Sequence, residues 1–323
     1  MDEAEDYDRE LLQKLQKIGA FGIPYSREYG GQGADVLTYT LCMEEMSKVD
    51  ASTGITLSVH TSLCCPCINE FGTEEQKQKY LVPLAKGEKI GAFGLTEPSA
   101  GTDSSMQQTT AVLDGDEYVL NGTKVFITNA GYADIYVVIA MTDKSKGNKG
   151  ISAFIVEKGT PGFSVGKKER KMGIRGSATC DLIFENCRIP KENILGKEGQ
   201  GFKIAMQTLD GGRIGIASQA LGIMQGAIDE CVKYVMERRQ FGKKIGQFQN
   251  TQFELADMAT KAEAAKLLVY EAAATKDAGK PYSHLSAMCK YFAGSTASDI
   301  TRRCLQLFGG YGYTCLLYTS DAA

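Results

Sequence analysis

The sequence predicts an α+β fold in three successive blocks: a helical N-terminal domain over residues 1–90, a middle antiparallel β domain over 91–195, and a helical C-terminal bundle over 196–314. Three observations predict it. Residues 5–90 read as helices separated by loops, with GIPYSREYGGQGAD as a Gly-rich turn between two of them. From residue 91 the pattern changes to short alternating runs: DGDEYVLNGTKVFITNA, GISAFIVEKGTPGFSV and ATCDLIFENCRIP. From about residue 198 helical spacing returns. Met224, Ala227, Ile228, Cys231, Tyr234 and Val235 share one stripe, and Leu255, Met258, Ala259, Ala262 and Val269 share another.

Within the β block, Asn121-Gly122 is the expected hairpin turn, because Asn-Gly tolerates the positive φ angles such turns need. Residues 124–128 are expected to be a strand of period two. That places Val125 and Ile127 on one face and Phe126 and Thr128 on the other. Gly279 and Pro281 are expected to close the second C-terminal helix. A chain of 323 residues exceeds what one core serves, which fits several domains.

Lys plus Arg is 36 and Asp plus Glu is 39, a balance that argues against a general nucleic-acid or anionic-membrane binder. No run approaches the roughly 20 apolar residues that span a bilayer, so no membrane insertion is expected. The acidic start MDEAEDYDRE resembles neither a signal nor a transit peptide, and the cytoplasm is the expected compartment. The ten cysteines are scattered and expected to be reduced.

Several segments could carry chemistry. Phe126 beside Thr128 on a strand face could support a planar heteroaromatic ring, or be an ordinary two-sided strand. The loop in GAFGLTEPSAGTDS could present N–H groups and hydroxyls to a ligand, or be a surface turn. The basic cluster in ERRQFGKK could pair with phosphate, or be a solvated helix C-terminus. The glycines of QLFGGYG permit close backbone approach, or end a helix. His60 with Cys64, Cys65 and Cys67 reads better as buried thiols than as a metal site, since no second CxxC lies nearby. Neither the GxGxxG nor the GxxxxGK[ST] nucleotide fingerprint is present.

In this order TEPSAGTD (residues 96–103), FITN (126–129), ERRQFG (237–242) and QLFGGYG (306–312) resemble the acyl-CoA dehydrogenase family, most closely its short-chain, butyryl-CoA branch. The resemblance runs from about residue 8 to 314 and implies the same helical–β–helical order. It implies FAD as cofactor, an acyl-CoA thioester as substrate, an electron-transfer flavoprotein as partner and a homotetramer. By that resemblance Phe93, Leu95 and Thr96 line the flavin, and Gly101 and Thr102 lie where flavin and acyl-CoA meet. Phe126 packs on the ring system and Thr128 bonds near its N5. Arg238, Phe241, Gln249, Gln306, Gly309 and Gly310 match positions that hold the FAD of a neighbouring subunit. Asp210, Gly211, Gly212 and Arg213 match substrate contacts.

The resemblance also implies a reaction: a carboxylate takes the α proton of the thioester while the β hydrogen leaves as hydride to the flavin. In this branch the base is a Glu in a YEGT-like motif after the GGYG segment. Here the tail 315–323, CLLYTSDAA, departs from the family. A second subgroup carries its Glu on the helix containing LDGGRIG, where this chain has Gly212. The base is therefore expected beyond Ala323, the chain is read as a fragment cut at both ends, and as given it is expected to be inactive. The alternatives are a non-catalytic flavin or acyl-CoA binding protein, or a branched- or medium-chain relative.

Overall fold

The computed structural model describes residues 4–314. The tail 315–323 and the expected base position lie outside the described residues. The chain opens with α1 (Arg9–Lys17), α2 (Val36–Val49) and α3 (Ala51–Val59). A π-helical turn (His60–Cys64) then leads into α4 (Cys65–Phe71), and the short α5 (Glu74–Gln76) and α6 (Val82–Ala85) follow. Their starts are capped as the residues dictate. Asp8, Asp35 and Asp50 accept from backbone N–H groups of α1, α2 and α3, and Thr73 with Gln76 forms a capping box on α5.

The middle block contains β1 (Gly91–Gly94), β2 (Thr110–Asp114), β3 (Glu117–Thr128), β4 (Ile135–Met141), β5 (Ile151–Glu157), β6 (Phe163–Lys168), β7 (Thr179–Pro190) and β8 (Ile194–Leu195). They form one sheet in the order β6-β7-β3-β2-β4-β5-β8, with β1 beside β4. The sheet is mixed. Most ladders are antiparallel as expected, but β1 and β2 each meet β4 in parallel. Strand β4 shows why the sheet sits centrally. Ile135, Val137 and Ile139 face a core shared with Cys64, Ile68, Leu84 and Ile204 of the helices, whereas Tyr136, Val138 and Ala140 face a second core inside the β block.

The hairpin lies elsewhere than Asn121-Gly122. β2 and β3 pair Asp114 with Glu117, so the two-residue turn is Gly115-Asp116, with Gly115 at φ 64°. Asn121 and Gly122 run through the middle of β3 at a register shift. A Cβ on Gly122 would lie 2.6 Å from the Thr109 Cα, so the glycine serves a close approach between strands. Asn121 accepts from the Asn186 N–H at 2.7 Å, across to β7.

The C-terminal block is a bundle of α7 (Gly201–Glu237), α8 (Gln249–Asp277) and α9 (Ser283–Leu307), followed by α10 (Gly310–Tyr313). Between α7 and α8, β9 (Arg239–Gln240) and β10 (Lys243–Lys244) form a small hairpin. Most of the expected stripes pack inward, with Met224, Cys231 and Val235 of α7 meeting Met258, Ala262 and Val269 of α8, whereas Ala259 turns out to solvent on α8. Gly279, at φ 66°, closes α8 with its N–H on the Lys276 carbonyl, as the sequence predicted. Asp277 accepts from the Val36 and Leu37 N–H groups at 2.8 and 3.0 Å, tying the end of α8 to the start of α2.

Candidate functional site

The TEPSAGTD loop leaves the end of β1. Phe93 and Leu95 are buried, Thr96 is half-buried, and Gly101 and Thr102 are exposed. Glu97 and Ala100 exchange backbone hydrogen bonds at 3.1 Å, which closes a tight turn over Pro98-Ser99. The loop is fastened to β3 by the Val125 N–H, which donates to the Thr96 carbonyl at 2.9 Å.

Phe126 and Thr128 do not sit on a regular strand. Lys124 pairs with Leu182 and Ile127 with Cys180, so Val125 and Phe126 together oppose the single residue Asp181. That is a β-bulge, and Phe126 takes a positive φ of 60°. Alternation fails as a result: Ile127 turns into the core with Lys124, Phe126 is 65% exposed and Thr128 is half-buried. Both candidate residues still lie outside the core, through the bulge rather than through strict period two. A bulged aromatic with φ above zero is costly, and such features concentrate at functional sites. Asn129 follows, also at positive φ. Its Nδ2 donates to the Thr56 and Gly91 carbonyls at 2.9 and 3.2 Å, while its buried Oδ1 has no partner.

The substrate candidates lie near the start of α7. Asp210 and Arg213 form an ion pair one helical turn apart. Gly211 and Gly212 let the helix approach its neighbours. A Cβ on Gly212 would lie 2.6 Å from Leu63 Cδ2, and one on Gly211 would lie 2.8 Å from Lys276 Nζ.

Glu97 and Lys124 are what sequence reasoning missed. Lys124 is fully buried, and its ammonium donates to the Glu97 carboxylate (2.6 Å), the Gln107 side-chain carbonyl (2.5 Å) and the Leu95 carbonyl (3.3 Å). Glu97 also accepts from the Gln108 and Thr109 N–H groups at 2.6 and 3.0 Å. Burial opposes the charge on Glu97, but Lys124 and these donors hold its carboxyl below the usual range. Burial pulls Lys124 down to about 8, with Glu97 acting against the shift. No local signal marked Lys124, because strict period two puts it on the face of Phe126 and Thr128 rather than in the core.

The Arg238 group lies at the other end of α7. Arg238 is the residue after the helix, and its guanidinium stands 5.8 Å from the Tyr311 ring centroid. Arg238, Gly309 and Gly310 line one open cleft of about 440 Å³ with Tyr234, Phe308 and Tyr311. Phe241, Gln249 and Gln306 are exposed beside it and do not line it. Phe241, at φ 51°, is the first of the two turn residues of the β9–β10 hairpin, followed by Gly242 at φ 76°.

His60 and its cysteines are structural. His60 Nδ1 accepts from the Gly91 N–H at 3.0 Å and its Nε2 donates to the Leu84 carbonyl at 3.1 Å. Burial lowers its pKa to about 4. Cys64, Cys65 and Cys67 are buried, which raises their pKa values; Cys67 reaches about 12. Among the described residues no group of three or more His, Cys, Asp or Glu could hold a metal ion. No described helix is long and apolar enough to cross a membrane.

Three family models match along the chain: the N-terminal domain of acyl-CoA dehydrogenase over residues 1–88, the middle domain over 92–187 and the C-terminal domain over 199–321. The chain is 60% identical over 314 residues to a short-chain specific acyl-CoA dehydrogenase of Clostridium acetobutylicum, covering 97% of this chain and 83% of that protein. It belongs to the acyl-CoA dehydrogenase family. The solved butyryl-CoA dehydrogenase of Megasphaera elsdenii superposes with a TM-score of 0.97 at 54% identity, covering 99% of this chain and 85% of that one. A chain in a solved structure of an electron transferring flavoprotein of Acidaminococcus fermentans, described in terms of flavin-based electron bifurcation, superposes with a TM-score of 0.98 at 61% identity. That match covers 99% of this chain and 84% of the other. The family accounts for the order of the three blocks.

Proposed function

We propose that this chain is a short-chain acyl-CoA dehydrogenase subunit. It holds FAD and a short acyl-CoA and exchanges electrons with an electron-transfer flavoprotein in the cytoplasm, as part of a homotetramer. The observation that carries the reading is the fastening of the Thr96 loop to the bulged strand at Val125, which brings Thr96, Phe126 and Thr128 to neighbouring positions. The short-chain class and the flavoprotein partner rest on the relatives from Clostridium acetobutylicum, Megasphaera elsdenii and Acidaminococcus fermentans.

The residues present fit the cofactor. Added Cβ atoms at Gly101, Gly309 and Gly310 would meet nothing within 4 Å, so the backbone there is open to a ligand. Phe126 offers an exposed aromatic face, and Thr96 and Thr128 offer half-buried hydroxyls for polar ring edges. Arg238 is an exposed guanidinium suited to a pyrophosphate. When bound, FAD supplies the hydride acceptor.

The protein's part is to bind, orient and exclude water. The Asp210–Arg213 pair and the Gly101–Thr102 stretch would hold the thioester end of the substrate. Arg213 and Arg238 stand roughly 37 Å apart along α7 at 1.5 Å per residue, which supports assigning Arg238, as the family resemblance implies, to the flavin of a neighbouring copy rather than to the site beside Arg213.

One observation favours a second reading, a non-catalytic flavin and acyl-CoA binder. Gly212 has no side chain to take an α proton, and Leu63 lies against the place a side chain would occupy. Adding butyryl-CoA anaerobically to the FAD-loaded protein separates the two. Bleaching of the flavin supports the dehydrogenase. A spectral shift without bleaching that persists in a form supplied with the family's catalytic Glu supports the binder, and absence of flavin binding contradicts both.

A further inference from the structure

We propose that Glu97 and Lys124 are positioning residues. Their buried ion pair is a strut that sets the place of the Thr96 loop relative to the Phe126–Thr128 bulge, and so tunes how the chain holds flavin. The proposal rests on the flavin reading above.

The strut is attached on both sides of Thr96. Lys124 holds the carbonyl of Leu95, the residue before it, and the carboxylate of Glu97, the residue after it. Thr96 itself is held through its carbonyl by Val125, the residue after Lys124. Three consecutive loop residues are thus bound to two consecutive strand residues, immediately before the bulged Phe126. The far side of the loop is held as well, because Glu97 accepts from Gln108 and Thr109, and Gln107 Nε2 donates to the Leu95 and Ser104 carbonyls. The ammonium uses its three donors on three acceptors. Gly94 makes room: a Cβ there would lie 3.0 Å from Leu182 Cδ1 and 3.6 Å from the Lys124 Cγ.

Stability alone does not explain such a pair. Replacing both members of a buried ion pair with uncharged groups of similar volume is often neutral or stabilising, whereas removing one member leaves a buried charge. What the pair provides is direction, because its hydrogen bonds fix where the loop stands. Glu97 is not available as a base either, since it is 3% exposed and both carboxylate oxygens are engaged.

The test uses the whole chain and four forms: parent, Glu97→Gln/Lys124→Met, Glu97→Asp, and Tyr270→Phe. Tyr270→Phe removes a hydrogen bond from α8 to the buried Glu44 of α2 and serves as a purely structural control. Thermal midpoints of the apoproteins and FAD dissociation constants are measured, with the visible flavin spectrum as a third readout. The double variant should keep a midpoint near the parent's, bind FAD at least about 10-fold more weakly and show altered absorption bands, as misplaced contacts lose affinity steeply. Glu97→Asp keeps the charges but shortens the strut, and should weaken FAD by roughly 3-fold or more. Tyr270→Phe should move the midpoint and leave FAD affinity alone. Should the double variant not fold, Glu97→Asp decides. Parental FAD affinity and spectrum in the deciding variant overturn the strut while leaving the flavin reading intact. A parent that binds no FAD overturns that reading and the strut together.

Discussion

The two ends of α7 are built differently. Near its start Asp210 and Arg213 pair with each other, and in the β block the Thr96 loop is tied to the bulged strand β3 by the buried Glu97–Lys124 pair and the Val125–Thr96 bond. At the far end of α7, Arg238, Gln306, Gly309 and Gly310 are exposed around an open cleft. The first region is preorganised within one chain. The second offers a guanidinium and bare backbone to something outside it. The contrast teaches that a site can be assembled from a rigid half and a docking half.

Removing one partner of the strut should break the rigid half hardest. Lys124→Met strands the Glu97 carboxylate in the core and should cost about 3–5 kcal/mol of folding stability in denaturant titrations. A loss under about 1 kcal/mol would mean that water reaches Glu97 in the folded chain.

The next effect is a pH dependence from His60, which joins the π-helical turn to the start of β1. Its folded pKa of about 4 lies below the ordinary 6.5, so the unfolded chain binds more protons between these values. The stabilising contribution is full above pH 6.5 and is lost as pH falls toward 4. Across that window it is on the order of 3 kcal/mol. Unfolding at pH 7.5 and pH 5 should therefore differ less in His60→Gln than in the parent, and equal differences would remove His60 from the account.

At the docking half the pattern reverses. Arg238→Ala is an exposed change and should move chain stability by less than about 0.5 kcal/mol. FAD retention should nonetheless fall about 10- to 100-fold, and the oligomer should loosen, because a charge-assisted bond to phosphate is lost. Full flavin occupancy in a stable oligomer would contradict the assignment.

Thr128→Val is the finest probe. Loss of one hydroxyl should slow flavin reduction by roughly 5-fold, about 1 kcal/mol, with little change in acyl-CoA affinity. Rapid mixing with butyryl-CoA, in a form that carries the family's catalytic Glu, measures both, and an unchanged reduction rate would detach Thr128 from the flavin.

Much of this was legible in the sequence. The three blocks follow from periodicity, and the stripes of α7 and α8 pack where spacing placed them except at Ala259, which is exposed. The motifs TEPSAGTD and FITN meet in space, as the family resemblance implied. What failed was local. Asn121-Gly122 carries a stronger turn signal than Gly115-Asp116, but Gly122 is needed for the approach to Thr109, a contact no local pattern encodes. The bulge at Phe126 was hidden for the same reason, since an extra residue in β3 is defined only by its pairing with β7. Lys124 read as an ordinary strand residue because its three acceptors lie 17 to 29 residues away in the chain.

The central claim, that each flavin is held by the rigid half of one copy and the docking half of another, has a direct test. Two differently tagged variants are co-expressed, Glu97→Gln/Lys124→Met and Arg238→Ala, and mixed oligomers carrying both tags are purified. In a symmetric pair, one site combines both defects and the other combines two intact halves. The account predicts mixed oligomers that retain about one FAD per two chains, while each variant alone retains little. Mixed oligomers that hold no more flavin than the separate variants would place both halves of the site in a single chain and contradict the account.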